Sequence, residues 1–326
     1  MLQTLLAEGR PLLADGATGT NLFAMGLTSG DSPELWNADY PDRIESLHRG
    51  FVNAGSDIIL TNSFGANRRR LMLHGLEARA RELNRLAAQN ARKVADAAGR
   101  PVIVAGSVGP TGDLLAPLGP LSEDEAVEVF VEQIEGLSEG GAHVAWIETM
   151  SAAEEVRAAA RAAARCGMPF VITASFDTAG RTMMGVAPAA FGALVEAFDP
   201  APIAYGANCG VGASDLLAAI LGMKSGAPLI AKANAGVPQW HGAHIHYSGT
   251  PELMEAYAGL AVDCGARIVG GCCGNTPAHV AAMRRGLDAH KAGARPEVEA
   301  IVAALGPLAA PPAAEPAVRT RRRERA

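Results

Sequence analysis

Short apolar runs recur along the chain at Leu12–Ala14, Asp57–Leu60, Val102–Ala105, Val144–Ile147, Phe170–Thr173, Ile203–Tyr205, Leu229–Ala231 and Arg267–Val269. Between them lie longer stretches in which apolar residues return every three or four positions, the spacing of a helix with one buried face. These are Ile44–Asn53, Glu77–Ala98, Glu123–Ser138, Ala152–Arg165, Ala190–Phe198, Ser214–Leu221, Pro251–Val262 and Thr276–Leu287. Ser122 followed by Glu125 has the pattern of a capping box at a helix start, and Pro277 stands where a first-turn proline is tolerated. Strand and helix alternate throughout, with no strand-only or helix-only block, which predicts a single (β/α)₈ barrel. An open doubly wound sheet is the competing architecture. It needs a glycine-rich phosphate loop after its first strand, and the segment from Asp15 through Gly16, Ala17, Thr18 and Gly19 to Thr20 does not match G-x-G-x-x-G.

The alternation stops near residue 305, so residues 1–305 are expected to form the barrel and residues 306–326 a disordered tail. The Ala/Pro-rich stretch Gly306–Ala317, followed by an arginine cluster, cannot bury enough apolar surface to offset its ordering entropy. The tail carries about +3 of charge, which leaves the body near -9 within a total of -6. That balance gives no electrostatic footprint for nucleic acid. The first sixteen residues lack a basic segment followed by an apolar one, and no apolar run approaches the length of a membrane span. A cytoplasmic protein is the expectation. With no export signal, an odd count of five cysteines, two of them adjacent, points to metal or thiol chemistry rather than a disulfide framework.

In a barrel of this kind the chemistry sits at the C-terminal ends of the strands. The residues directly after the apolar runs are Asp15, Thr61 and Asn62, Ser107, Glu148, Ser175, Asn208 and Cys209, Asn234, and Cys272 and Cys273. Ser107 and Ser175 read as loop caps; the set as a whole reads as a site. One strand separates the sixth from the eighth, so Cys209, Cys272 and Cys273 can meet one ion. Zinc takes tetrahedral sulfur and nitrogen ligands, and three thiolates leave one position open for a substrate. Gly270, Gly271 and Gly274 give the adjacent cysteines the backbone freedom they need. Cys166 and Cys264, each before a glycine near a helix end, read as small buried hydrophobes. His241, His244 and His246, in the loop expected after the seventh strand, are a weaker candidate for a second metal site.

With these residues in hand, the chain resembles the homocysteine S-methyltransferase family from about Leu12 to Leu287. The resemblance rests on the segments Asp15–Thr20, Leu60–Ala66, Gly109–Gly112, Glu148–Thr149, Asn208–Gly210, Asn234–Gly236 and Gly270–Gly274, the last being the most specific. It implies a zinc (β/α)₈ barrel that methylates homocysteine to methionine, with zinc on Cys209, Cys272 and Cys273. It further implies that Asp15 and Glu148 hold the substrate ammonium, and that Gly16, Ala17 and Asn234 belong to the substrate pocket. The expected chemistry is attack of a zinc-held homocysteine thiolate on a methyl donor.

The donor is a separate question. Betaine-using members of the family enclose the quaternary ammonium with aromatic rings, one in the loop after the second strand and one after the strand-four glutamate. Here those places hold Ser63–Asn67 and Thr149, although Trp36, Tyr40, Trp240 and Tyr247 could compensate. The pattern is more similar to the homocysteine module of cobalamin-dependent methionine synthase. That reading requires separate cobalamin-binding and folate-binding partner proteins. S-methylmethionine is a third candidate donor, and a non-catalytic zinc or thiol scaffold is the alternative of another class.

Overall fold

The computed structural model describes residues 1–223, 226–241 and 244–309, with the backbone alone for residues 238–241 and 244–246. Eight parallel strands form the barrel: β1 (Leu12–Leu13), β2 (Ile58–Leu60), β3 (Ile103–Val108), β4 (Val144–Met150), β5 (Phe170–Ala174), β6 (Tyr205–Cys209), β7 (Leu229–Ala233) and β8 (Ala266–Gly271). Each pairs with its sequence neighbours, β8 pairs with β1, and a bridge between Ala14 and Ile58 joins β1 to β2 and closes the circle. After each strand comes one packed helix: α1 (Pro41–Asn53), α2 (Ala80–Asp96), α3 (Glu123–Glu139), α4 (Ala153–Arg165), α5 (Pro188–Glu196), α6 (Ala213–Gly222), α7 (Pro251–Asp263) and α8 (Pro277–Ala289). The (β/α)₈ expectation holds element by element.

Local chemistry explains the helix starts. Ser122 and Glu125 form the reciprocal capping box of α3. The Thr250 side chain accepts from Leu253 N at the start of α7, with Pro251 in the first turn, and Pro277 holds the same place in α8. The buried face of α4 is mostly alanine, with Val156 and with Glu155, whose Oε1 accepts from Thr111 N and Oγ1.

Two apolar cores follow from the strand period of two. Outward residues such as Val104, Ile147 and Ile172 pack against the helices. Inward residues such as Ile58, Ile103, Trp146 and Ile230 fill the barrel, and Leu2, Leu5 and Leu6 of an N-terminal helix (Leu2–Ala7) plug its lower end.

Three features depart from the sequence reading. The sixth strand begins at Tyr205, where its apolar run ends, so Cys209 is the last residue of β6 rather than part of a following loop. Likewise Ser107 and Glu148 lie inside β3 and β4. The loop after β7 holds an antiparallel hairpin, Pro238–His241 paired with His244–Tyr247. The side chains of His241, His244 and His246 lie outside the described residues. So do residues 310–326, which carry the arginine cluster. Before that point a further helix, Val298–Leu305, packs on the barrel, and Gly306 and Ala309 are tied to Ser214 and Asp215 of α6. No helix among the described residues is long and apolar enough to cross a membrane.

Candidate functional site

Register brings the three cysteines together. In β6, Cys209 sits opposite Ala233 of β7; in β8, on the other side of β7, Gly271 sits opposite the same Ala233. The chain then continues into Cys272, whose N–H donates to Ala233 O at 2.7 Å, and into Cys273, whose carbonyl accepts from Ala235 N at 2.9 Å. The three sulfurs all lie within 4.8 Å of one another, and Cys209 Sγ is 3.9 Å from Cys273 Sγ. Two thiolates sharing a tetrahedral zinc at the usual Zn–S length stand about 3.8 Å apart. The donor set and its spacing fit such an ion. All five cysteines are free; Cys264 lies in the outer core and half-buried Cys166 packs against it, both away from this cluster.

The sulfurs are also prepared for charge. Hydrogen bonds from Cys209 and Cys272, with a further one from the Tyr247 hydroxyl, pull the Cys273 thiol well below the usual thiol range. The same contacts push Cys209 up. Three adjacent thiols cannot all ionise by themselves, so the cluster titrates as a set in which an ionised sulfur is stabilised by hydrogen bonds from its neighbours.

A strained backbone holds this arrangement. Cys209 and Thr149 both have φ of 62°, a left-handed conformation that costs energy for a side chain and persists only where the surroundings impose it. Asn208 imposes both. Its Oδ1 accepts from Thr149 N at 2.8 Å and from Thr173 Oγ1 at 2.7 Å, and its Nδ2 donates to Thr149 Oγ1 at 2.7 Å. Asn234 braces the other side by donating to Gly210 O at 2.7 Å. Its own Oδ1 is buried with no partner among the described residues.

A cavity of about 410 Å³ opens beside the sulfurs. Gly16, Ala17, Leu60, Ser107, Glu148, Thr149, Lys232 and the three cysteines border it, together with Phe64 at its outer edge. The Gly16 segment is pressed against Asn275: a Cβ on Gly16 would lie 2.6 Å from Asn275 O, the same carbonyl that accepts from Ala17 N at 3.0 Å. Of the acidic pair, Glu148 faces the cavity and Asp15 does not. Burial pushes the Glu148 carboxyl up to about 7, against the opposing charge of Lys232. The Ser107 hydroxyl donates to Glu148 Oε1, so Ser107 is a partner of the buried acid and not a loop cap. Ser175, by contrast, does hold a turn, accepting from Gly210 N at 3.2 Å. Asp15 is 1% exposed, with Oδ2 taken by Leu60 N at 2.7 Å and Oδ1 by Lys232 Nζ at 3.1 Å.

The sequence model of the homocysteine S-methyltransferase family matches residues 12–287. The chain belongs to that family. It is 33% identical over 290 residues to methionine synthase of Mycobacterium tuberculosis, covering 83% of this chain and 24% of that protein. With methionine synthase of Mycobacterium leprae it shares 31% over 299 residues, covering 86% and 24%. The chain thus spans about a quarter of the length of these curated relatives. Among solved structures, the metallated homocysteine methyltransferase MmuM from Escherichia coli superposes with a TM-score of 0.71 at 28% identity, covering 87% of this chain and 99% of that one.

The roles of three residues at the site escaped the sequence reading. Asn208 was noted at a strand end and within the Asn208–Gly210 segment but given no role, Tyr247 only as an aromatic ring, and Lys232 not at all. A lysine inside an otherwise apolar run reads as a solvent-facing residue. Only the alternation that puts Ile230 inside the barrel places Lys232 inside as well, as its 2% exposure confirms.

Proposed function

We propose that the chain is a zinc-dependent homocysteine S-methyltransferase that forms methionine, with the methyl group taken from methylcobalamin carried by a separate protein. The observation that carries this reading is the convergence of Cys209, Cys272 and Cys273 on the cavity that also presents Glu148. The family supplies homocysteine as the acceptor, and the name of the mycobacterial relatives supplies methionine as the product.

Zinc held on the three sulfurs supplies a substrate thiol in its thiolate form at neutral pH, where a free thiol near pKa 8.5 is mostly protonated. The protein's own residues do the rest. Glu148, backed by the charge of Asp15, takes the substrate ammonium, and the Gly16–Ala17 backbone shapes the wall along which the amino acid lies. Asn234 keeps the Cys209–Gly210 turn in place from behind. The acceptor sulfur forms its bond to the methyl carbon while the donor retains the electron pair of the bond that breaks.

Two observations favour a donor presented by another protein. Of the eleven exposed large apolar side chains among the described residues, all but Met1 lie in segments that run from a strand's C-terminal end to the next helix. Phe64, Leu73, Leu114, Leu118, Met183 and Val237 therefore sit on the face where the site opens, and such a concentration of apolar surface marks a contact region. A quaternary ammonium donor would instead need a free aromatic enclosure. Phe64 is the one aromatic bordering the cavity among the described residues. Trp36 and Tyr40 already hold the Arg43 guanidinium, at 4.9 and 4.8 Å from their ring centroids.

The test is a side-by-side assay of the zinc-loaded protein with homocysteine and methylcobalamin, betaine or S-methylmethionine. Methionine is expected with methylcobalamin. Turnover with betaine or S-methylmethionine alone would transfer the donor assignment to that compound, and a zinc-loaded protein inert with all three would be a scaffold.

A further inference from the structure

Lys232 is an ammonium group buried at the bottom of the cavity. Its stem runs past Gly270, where a Cβ would come within 3.2 Å of Lys232 Cγ, so the glycine leaves the space that the lysine fills. The Nζ atom stands 3.1 Å from Asp15 Oδ1 and 5.4 Å from the centroid of the Trp146 ring, whose face attracts a cation. Burial opposes the charge, but Asp15 and Glu148 outweigh it, and the ammonium is held above its ordinary pKa. An ammonium has three N–H donors. Among the described residues Asp15 is the single hydrogen-bond acceptor it meets. The residue nevertheless borders the cavity, next to Glu148 and Cys272.

Asp15 has no such freedom, since both of its oxygens are engaged and it does not border the cavity. Glu34 also borders the cavity, but Ser32 Oγ and Gly65 N take its two oxygens. What the pocket presents to a ligand is therefore one cation and one carboxyl group side by side, Lys232 and Glu148. That pair complements a zwitterion, with its carboxylate on the lysine and its ammonium on the glutamate.

We propose that Lys232 is a specificity-determining residue that binds the α-carboxylate of the amino-acid thiol while Glu148 binds its ammonium. Asp15 then acts through Lys232 as a positioning residue. This rests on the proposed function only in taking a thiol amino acid as the acceptor.

The test uses the zinc-loaded full chain and three thiols. Homocysteine carries both charged groups, 3-mercaptopropylamine lacks the carboxylate, and 4-mercaptobutyrate lacks the ammonium. Binding is followed by calorimetry, and KM and kcat by methyl transfer. Because Lys232→Met alone strands a buried Asp15 charge, the charge-balanced Asp15→Asn/Lys232→Met variant is measured beside it. In the unaltered protein homocysteine should bind at least about tenfold more tightly than 3-mercaptopropylamine, the worth of one charge-assisted hydrogen bond. In the double variant that preference should collapse toward unity through a rise in Kd and KM for homocysteine. The preference for homocysteine over 4-mercaptobutyrate should survive there and be lost in Glu148→Gln instead. A double variant that keeps the full discrimination against 3-mercaptopropylamine overturns the assignment of Lys232 alone, because homocysteine still binds. An unaltered protein that binds none of the three thiols overturns the proposed function with it.

Discussion

Asn208 and Thr149 clasp one another across the tips of β6 and β4, each donating one hydrogen bond and accepting one. The clasp joins the residue that follows Glu148 to the residue that precedes Cys209. It also locks both left-handed residues of the site, Thr149 directly and Cys209 through its immediate neighbour. Removing the amide frees two strained positions at once. Asn208→Ala should therefore leave the fold intact and lower zinc affinity by roughly 10- to 100-fold, the usual cost of losing a group that orients a metal ligand. Competition with a chelator measures this. Unchanged affinity would show that the sulfur geometry is set by the β-register alone.

The metal ligands themselves allow a sharper expectation. The unaltered chain should purify with, or take up, about one zinc ion, as expected for a single set of three thiolates with one open position. Cys209→Ser and Cys273→Ser should each abolish stoichiometric zinc, because a serine hydroxyl does not ionise to replace the lost thiolate. Cys264→Ser should retain it, since that sulfur is buried in the outer core. Elemental analysis alongside circular dichroism separates loss of metal from loss of fold.

How much of this could be read beforehand depends on what each residue advertises. The barrel was legible because its strands are apolar runs and its helices have periodic faces, and the vicinal pair Cys272 and Cys273 among glycines is a rare pattern. The strand ends were not legible. An apolar-run criterion stops at the first polar residue, whereas β3, β4 and β6 continue through Ser107, Glu148 and Asn208, polar residues that the barrel accepts because Ser107 bonds Glu148 and Thr173 bonds Asn208. The partner of Asp15 was hidden for a related reason. Nothing local in Leu229–Ala233 says which face of the strand looks inward; that is fixed by the neighbours β6 and β8. Cys209 was found by its chemistry, but its left-handed backbone follows from contacts with residues about sixty positions away.

Stability toward acid should depend on a residue remote from the site. His48 on α1 is 1% exposed, and neither ring nitrogen has a partner among the described residues. Burial lowers its pKa from 6.5 to about 4. The folded state thus refuses a proton that the unfolded chain accepts, so this contribution is complete above pH 6.5 and is lost as pH falls toward 4. Between pH 7 and 5 the loss should be about 2 kcal/mol. Denaturant unfolding of the unaltered protein and His48→Leu at the two pH values isolates it. The variant should lose less stability on acidification by that amount, and equal losses in both proteins would contradict the assignment.

Glu148 makes proton release on substrate binding depend on pH in a direction that can be stated in advance. In the ligand-free pocket its carboxyl titrates near 7, raised by burial. A bound ammonium favours the ionised form and lowers that value, so binding expels whatever proton Glu148 still carries. The zinc-loaded protein should release about one proton per homocysteine at pH 7.5, chiefly from the thiol. Below pH 7 the release should exceed one, because the carboxyl adds its share. Above pH 8.5 it should fall below one, because free homocysteine is then already partly ionised. In Glu148→Gln the excess at low pH should vanish while the thiol proton is still released. Calorimetry in buffers of different ionisation enthalpy counts these protons directly. A release that stays at or below one proton down to pH 6 in the unaltered protein would remove Glu148 from the ammonium site, and no release at any pH would remove the thiolate chemistry as well.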